Sequence, residues 1–349
     1  GLDMEFGSWT NGLNWGQSNA YDNYYLAQPY LNLIKKGEVT AKVLTDKVRR
    51  ILRLVFRNNM AKERHFGSFG TEEHALAGRT IAQQGIVLLQ NKKNVLPVDA
   101  SKVKRVLVVG ENAVKRMTVG GGSSSLKAKY EVSPLEGIKA RLGDGAEVIY
   151  SPGYASPAVK EQDVLGAEEP DKMEIDADAL RNDAVKWAKD ADVVFFVGGL
   201  NKNDGQDCEG NDRSSLSLPY EQDQLIAELA KANPNTVVVI ISGNAVAMPW
   251  VKQVPAIVEA WYSGTEAGNA LASILFGDVN PSGKLPFTFP ARLEDNGAHA
   301  LGEHPGDSIN VKYNESIFVG YRWADKQKKT KPLFAFGHGL SYTTFAYGK

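Results

Sequence analysis

Glu209 is the residue with the strongest claim to chemistry, because a carboxyl group can both give and take a proton. Arg213 would favour its ionised form by pairing, whereas Asp207 and Asp212 would favour its protonated form by repulsion. Residue types alone therefore leave two roles open, a catalytic acid or base and a surface ion pair, and the ion pair is the commoner of the two. Cys208 is more simply a loop thiol than a nucleophile.

These residues must be held by a long loop between a strand and a helix. The apolar run at 192–198 predicts a buried strand, and Pro219, followed by acidic residues, predicts the start of a helix at about 220–232. About twenty residues separate the two elements, several times the usual length of such a connection. A loop of this size in a compact domain is normally functional or disordered.

Strands and helices alternate through most of the chain, which predicts an α/β fold. A mainly parallel sheet sandwiched by helices, an α/β/α sandwich, follows from the buried character of the strands. Ligands of such sheets bind beyond the carboxyl ends of the strands, where the long loop lies together with the segments 110–113, 242–244 and 263–266. Predicted strands are 105–110, 147–150, 192–198, 236–242 and 256–261, and predicted helices are 71–91, 134–142, 177–189, 220–232, 266–276 and a short helix near Met248.

The two ends of the chain lack the alternation of strands and helices that is predicted for the central part. Helices are predicted at about 21–36 and 41–56, and the second has an apolar face that must pack against other protein, because so short a segment cannot form a core. A polar linker covers 58–70. After residue 280 the segments 284–290, 316–323 and 334–342 are predicted to be covering loops and edge strands.

The composition disfavours several classes of partner. A net charge of -1 favours neither nucleic acid nor a membrane surface. The single cysteine excludes an internal disulfide, and the five histidines are not spaced as metal ligands, so no metal is expected. The glycine and serine run at 120–125 lacks the spacing of a phosphate-binding loop, and no cofactor is expected.

Several runs of residues together resemble the second half of glycoside hydrolase family 3, the β-glucosidases and their relatives. They follow one another in the same order through nearly the whole chain. The runs are Gly-Leu-Asp-Met-Glu at 1–5, Gly-Ile-Val-Leu-Leu-Gln-Asn at 85–91, Val-Gly-Glu-Asn-Ala at 109–113, Gly-Gly-Gly-Ser at 120–123, Glu-Gly-Asn-Asp-Arg at 209–213, Gly-Asp-Val-Asn-Pro-Ser-Gly-Lys-Leu-Pro at 277–286 and Phe-Gly-His-Gly-Leu-Ser-Tyr at 336–342.

The resemblance implies a domain arrangement. Members of the family usually pair a (β/α)8 barrel with an α/β sandwich, and the active site lies where the two meet. Residues 1–57 would then be the last strand, loop and helix of an incomplete barrel, 58–70 a linker, and 71–349 the sandwich with its C-terminal covering loops.

The resemblance also implies roles for individual residues. Glu209 would be the general acid/base, since it stands first in the Glu-Gly-x-Asp-Arg run, and Asp207 is the second candidate because some relatives align the acid two positions earlier. The substrate-binding residues would be Ser123, Ser124, Asp207, Arg213 and Trp9, of which the two serines would edge the aglycone side and Trp9 would stack on it.

The second carboxylate of a retaining glycosidase is missing from the pattern. Such an enzyme needs an acid/base and a nucleophile, and the family's nucleophile is an aspartate in a Ser-Asp-Trp context that this chain lacks. We therefore expect part of a β-glucosidase acting on terminal β-D-glucosyl groups of a glucoside or oligosaccharide, inactive alone and completed by a barrel portion or a companion chain. A homodimer stays open, and the family implies a secreted or periplasmic location. The alternatives are a non-catalytic carbohydrate-binding or scaffold module and, less favoured, a nucleotide-binding α/β protein.

Overall fold

The computed structural model describes residues 2–5, 24–59, 67–118, 126–156, 176–202, 205–209, 212–307, 309–327, 331–344, 346 and 348. The chain divides into two compact units, Gly1–Phe69 and Gly70–Lys349. The assignment of the first unit to the end of a barrel stays a prediction. In the described part of the chain, every helix is too short or too polar to span a membrane.

The described residues of the first unit include two helices, α1 at Gln28–Lys35 and α2 at Ala41–Asn59. A proline in the first turn of α1 suits a helix start, where its missing N–H costs nothing. The Glu5 carboxylate accepts the N–H of Leu26 at 2.7 Å just before that helix. On α2 the predicted apolar stripe is exposed, with Val48 at 45% and Leu52 at 46%. A surface of this kind usually meets other protein.

The second unit contains a sheet of six strands in the order β1-β6-β5-β4-β2-β3. All neighbouring pairs are parallel except β1 with β6. The strands are β1 Val87–Asn91, β2 Arg105–Val109, β3 Glu147–Ser151, β4 Val193–Gly199, β5 Thr236–Ile241 and β6 Ala256–Glu259. The helices are α3 Glu72–Gly85, α4 Pro134–Leu142, α5 Ala177–Ala188, α6 Gln222–Ala232, α7 Ala267–Leu275, α8 Gly297–Ala300 and α9 Tyr321–Lys326, with 3₁₀ turns at Lys92–Asn94, Glu111–Ala113, Gly143–Gly145 and Leu293–Asp295.

The sheet buries both faces, which confirms the predicted α/β sandwich. Successive side chains of a strand point to opposite faces of the sheet. In β4, Phe195 therefore belongs to one core and Phe196 to the other. Helices α3, α4 and α7 contribute to the first core, and α5 and α6 to the second. The central strands β4 and β5 are almost wholly apolar because both of their faces are buried.

Helices α4 and α7 cross at two glycines. A Cβ on Gly137 would lie 2.1 Å from the Gly268 carbonyl oxygen, and a Cβ on Gly268 would lie 2.0 Å from the Ser133 carbonyl oxygen. Ser133 also begins α4 in a capping box with Glu136, in which each side chain binds the other residue's N–H. The backbones therefore touch at a point where no side chain fits.

Three predicted elements were wrong. The helix predicted at 71–91 ends at Gly85, and 87–91 is β1, an edge strand paired antiparallel with β6. The segment around Met248 is a turn rather than a helix. Edge strands predicted in the tail are reduced to single bridges, Leu88 with Leu340 and Phe289 with Phe334, and the segment at 316–323 instead leads into α9.

Candidate active site

The side chain of Gln222 closes the root of the long loop after β4. Gly199 donates its N–H to Gln222 Oε1 at 2.8 Å, and Gln222 Nε2 donates to the Gly199 carbonyl oxygen at 2.9 Å. Gly199 has a φ of 120°, and a Cβ there would lie 2.3 Å from the Ile241 carbonyl oxygen, so the position requires glycine. The last residue of β4 and the first residue of α6 are thereby joined.

The segment before Glu209 folds back onto the end of β4. Asp207 donates its backbone N–H to the Asn201 carbonyl oxygen at 3.0 Å. The buried Gln206 side chain accepts the Asn201 N–H at 2.9 Å and donates to the Tyr220 hydroxyl at 3.0 Å. These bonds satisfy polar groups that burial would otherwise leave unpaired. They fix the chain two residues before Glu209.

The Asp207 carboxylate joins three loops. Its Oδ2 accepts the Gly243 N–H at 2.6 Å and the Tyr262 hydroxyl at 2.9 Å, and its Oδ1 accepts Asn244 Nδ2 at 2.8 Å. Burial, followed by the charge of Asp207, raises the pKa of Tyr262, which keeps that hydroxyl a donor. An ionised carboxylate only accepts hydrogen bonds, so three donors match it. The loop after β4 is thus tied to the loops after β5 and β6.

A fully buried carboxyl group lies beneath this junction. Glu259, the last residue of β6, is 0% exposed, and burial raises its pKa well above the usual value, with the charge of Asp207 as a lesser cause. The Ser242 hydroxyl donates to the Asn244 carbonyl oxygen at 2.7 Å and lies 3.3 Å from Glu259 Oε2. Because Ser242 has one proton, a protonated Glu259 is the group that can donate to Ser242 Oγ.

A cavity of about 500 Å³ borders the junction, within the size range of small-molecule sites. It is lined by the loop after β4, by residues that follow β5 and β6, and by the segment 293–304. Lys202 Nζ lies 3.6 Å from the centroid of the Tyr262 ring, and the rings of His299 and His304, also in the lining, lie 4.9 Å apart. The lining is polar and carries both signs of charge, as suits a ligand rich in hydroxyl groups.

Arg213 lies between this cavity and a second one of about 270 Å³. Its Nη2 donates to the Ala245 carbonyl oxygen at 2.8 Å. Burial lowers the pKa of Arg213, and the charges of Asp207 and Tyr262 act against that shift. A substrate-binding role for Arg213 stays a prediction.

Glu209 is not itself among the residues that line the larger cavity, but it lies close to two of them in sequence. Its neighbours in sequence Cys208 and Asp212 both line that cavity, and the Glu209 side chain is exposed. Ser123, Ser124 and Trp9 lie outside the described residues, so their predicted roles stay predictions. Within the described ranges, no group of three or more His, Cys, Asp or Glu side chains is arranged to hold a metal ion.

Sequence reasoning missed three parts of this site. Asn244 and Tyr262 were not singled out, although the segments after β5 and β6 were predicted to meet the long loop. Glu259 was passed over inside the apolar run at 256–261, where a lone charged residue in a buried strand was the available signal. All three surround Asp207.

Comparison with known sequences identifies the family of the chain. Residues 86–342 match the family described as glycosyl hydrolase family 3 C-terminal domain. The whole chain is 51% identical to beta-glucosidase BoGH3A of Bacteroides ovatus and covers 47% of that protein. Over 90% of its length the chain is 36% identical to thermostable beta-glucosidase B of Acetivibrio thermocellus, of which it covers 38%. The chain thus spans about half, or less, of the length of these relatives.

Solved structures show the same likeness. The beta-glucosidase of Kluyveromyces marxianus in complex with glucose matches 99% of the chain with a TM-score of 0.78 and 26% identity, and 57% of that protein is covered. DesR, a beta-glucosidase from Streptomyces venezuelae in complex with D-glucose, matches 93% of the chain with a TM-score of 0.79 and 29% identity, and 52% of it is covered. The chain therefore belongs to glycoside hydrolase family 3, and residues 86–342 are a C-terminal domain of that family.

Proposed function

We propose that this chain supplies the general acid/base of a retaining β-glucosidase and that Glu209 is that residue. The observation that carries the proposal is the position of Glu209, between two residues that line a polar cavity at the carboxyl edge of the sheet. Relatives of the chain are named as β-glucosidases. The residue has the chemistry that the reaction needs, because a carboxyl group can serve first as acid and then as base.

The contacts of Asp207 favour Glu209 over Asp207 as the acid. All three hydrogen bonds to the Asp207 carboxylate come from donors, and two of those donors, the Gly243 N–H and Asn244 Nδ2, have no acceptor capacity at the bonded atom. A carboxyl group that gives its proton to a leaving oxygen needs a free direction toward the substrate. Asp207 is occupied by protein donors on both oxygens, so it has no such direction left.

The reaction would proceed in two steps. Glu209 protonates the glycosidic oxygen as the bond to the anomeric carbon breaks and a nucleophilic carboxylate attacks that carbon. Glu209, now ionised, then takes a proton from the water that hydrolyses the glycosyl intermediate. The nucleophile would lie in the part of the relatives that this chain does not cover. Its carboxyl group must come within about 5–5.5 Å of Glu209 for retention.

Substitution of Glu209 in the complete enzyme, this chain together with its barrel portion, tests the proposal. For Glu209→Ala we expect kcat/KM on cellobiose to fall about 100- to 10,000-fold, since general acid catalysis contributes that much. The rate at which the glycosidic bond of 2,4-dinitrophenyl β-glucoside is cleaved should fall far less, because its leaving group needs no proton. Steady-state and burst kinetics on the two substrates measure the difference.

Glu228→Gln is the matched control. Glu228 is a half-buried carboxylate on α6 that accepts a hydrogen bond from Gln224 at 2.9 Å, lies 3.4 Å from Arg181 Nε and does not line the cavity. It should leave both rates within about twofold, as expected of a surface change. Equal loss on both substrates in Glu209→Ala would count against the acid role. Binding of glucose or cellobiose with no hydrolysis by the complete enzyme would favour a carbohydrate-binding or scaffold module instead.

A further inference from the structure

We infer that Asp207 is a positioning residue for Glu209, acting as a carboxylate clamp that fixes the loop after β4 to the loops after β5 and β6. The inference rests on the proposed role of Glu209. It assigns Asp207 no contact with the reacting atoms. We infer that the orientation of the Glu209 side chain depends on Asp207, whose carboxylate oxygens accept hydrogen bonds from other parts of the protein.

The first support is the number and origin of the bonds. The three donors to Asp207 come from two loops, with Gly243 and Asn244 after β5 and Tyr262 after β6. A surface carboxylate that only needed solvation would not collect a backbone N–H, an amide and a phenol at 2.6 to 2.9 Å. Charge-assisted bonds of this kind are stronger than neutral ones. Asp207 therefore fixes the loop after β4 through bonds to two different loops.

The second support is the rigidity of the parts to which Asp207 is bound. Asn244 is held from below, since its carbonyl oxygen accepts the Ser242 hydroxyl at 2.7 Å and Ser242 in turn lies against the buried Glu259. Tyr262 is covered on its ring face by Lys202 Nζ at 3.6 Å. These partners lie within three residues of the ends of β5 and β6, so buried strands hold them in place.

The third support is the short path from Asp207 to Glu209. The backbone N–H of Asp207 and the side chain of Gln206 are already bonded to Asn201 at the end of β4. With the carboxylate also bound, residue 207 is held on its main chain and on its side chain, and only Cys208 separates it from Glu209. Small errors in the placement of a catalytic group can cost about 100-fold in rate.

The test measures how the rate depends on the leaving group. Asp207→Asn keeps the volume but turns one acceptor oxygen into a donor that faces other donors. In the complete enzyme we expect kcat/KM for β-glucosides with poor leaving groups, such as cellobiose, to fall about 10- to 100-fold. For 2,4-dinitrophenyl β-glucoside the first bond cleavage should change less than about threefold, because a misplaced acid matters only where a proton is needed.

Asp192→Asn is the matched control. Asp192 is an anchoring carboxylate of the same type that accepts the backbone N–H groups of Lys104 and Arg105 at 2.6 and 2.9 Å, and it lies just before β4, at the opposite edge of the sheet. Its substitution should lower the melting temperature and leave the dependence on leaving group unchanged. Loss of stability alone is thereby separated from loss of positioning.

Each outcome decides between the two claims. If Glu209→Ala depends steeply on the leaving group and Asp207→Asn does not, the clamp is wrong and the function stands. If neither depends on it, the proposed function itself fails. Should Asp207→Asn not fold, Tyr262→Phe removes one of the three donors and decides the matter, with an expected loss of up to about tenfold confined to poor leaving groups. A uniform loss on all substrates in that variant would overturn the clamp.

Discussion

The buried carboxyl group of Glu259 makes the site sensitive to pH. It lies fully buried at the end of β6, and the groups that face it are the hydroxyl and backbone N–H of Ser242, the Trp261 N–H and the charge of Asp207. Burial disfavours its ionised form, and no cation is among the causes that act on it. A protonated Glu259 fits these neighbours because it can donate to Ser242 Oγ.

The raised pKa of Glu259 makes the stability of the chain depend on pH. Between its ordinary pKa of 4.5 and the raised value, the folded chain holds a proton that the unfolded chain has lost. Stability contributed by this group is therefore full below pH 4.5 and falls as the pH rises, by about 1.4 kcal/mol per unit, until the raised pKa is passed. We expect Glu259→Gln, which mimics the protonated form, to flatten this slope and to stabilise the chain near neutral pH.

Urea unfolding of both proteins between pH 5 and 8 measures this difference. The difference between the two free energies of unfolding is compared at each pH, because other carboxylates also make the free energy of each protein depend on pH. Parallel curves for Glu259→Gln and the unchanged chain would mean that Glu259 is ionised in the folded state. Asp207 would then face a second negative charge beneath its clamp.

Residue types predicted the site only in part, for a physical reason. Glu209 and Asp207 were found because charged residues in a long loop are visible in one sequence. The partners of Asp207 are a backbone N–H, an amide and a phenol, which are common groups and acquire meaning only when three strand ends meet. The order of the strands in the sheet decides which of these groups lie next to Asp207. That order cannot be read directly from a single sequence.

At the scale of elements, the contact between α4 and α7 leaves no room for a side chain. We expect Gly137→Ala to destabilise the chain by about 3 kcal/mol or more, because the new methyl group would lie 2.1 Å from a carbonyl oxygen of Gly268. Equilibrium unfolding in urea measures the loss. Neither helix can move away without uncovering the core that both help to build.

Gly78→Ala is the matched control for that change. Gly78 lies inside α3, and a Cβ there would meet no atom within 4 Å. Alanine is the better helix former, so this variant should gain up to about 1 kcal/mol. A similar gain in Gly137→Ala would show that the two helices are farther apart than described.

The error at β1 shows what a local pattern leaves undecided. Residues 86–89 are all buried, and so short an apolar run is compatible with the end of a helix or with a strand. Gly85 was an available stop signal for α3. The strand forms because β6 presents an unpaired edge, with Leu88 opposite Val258, and this long-range pairing outweighs local helical preference. The strands predicted at 105–110, 147–150, 192–198, 236–242 and 256–261 were confirmed.

At the scale of the whole molecule, the chain is expected to hold half of a catalytic pair. We expect it alone to give no measurable hydrolysis of 4-nitrophenyl β-glucoside, and addition of the barrel portion to restore activity, because retention requires two carboxyl groups. Release of 4-nitrophenol is the measurement, and the Glu209→Ala chain mixed with the same barrel portion is the control. Turnover by the pure chain that Glu209→Ala abolishes would place both carboxylates within it.

The exposed face of α2 bears on the same experiment. Val48 and Leu52 leave close to half of their surface in water, and Leu54 and Phe56 leave still more, at 62% and 58%. Apolar side chains left this exposed on a helix favour association with other protein. The barrel portion is the partner expected for it, so reconstitution should work best when that portion can cover this helix.

The glutamine that joins Gly199 to the start of α6 has a consequence for how such a protein diversifies. Because Gln222 seals the two chain ends and the bonds of Gln206 and Asp207 hold the segment that leads to Glu209, change in the outer part of the loop puts little strain on the strands. The loop thus has a fixed base at Gly199 and Gln222, a held segment at 206–207, and an outer part that can vary. New substrate preferences can therefore arise there while the scaffold beneath is inherited intact.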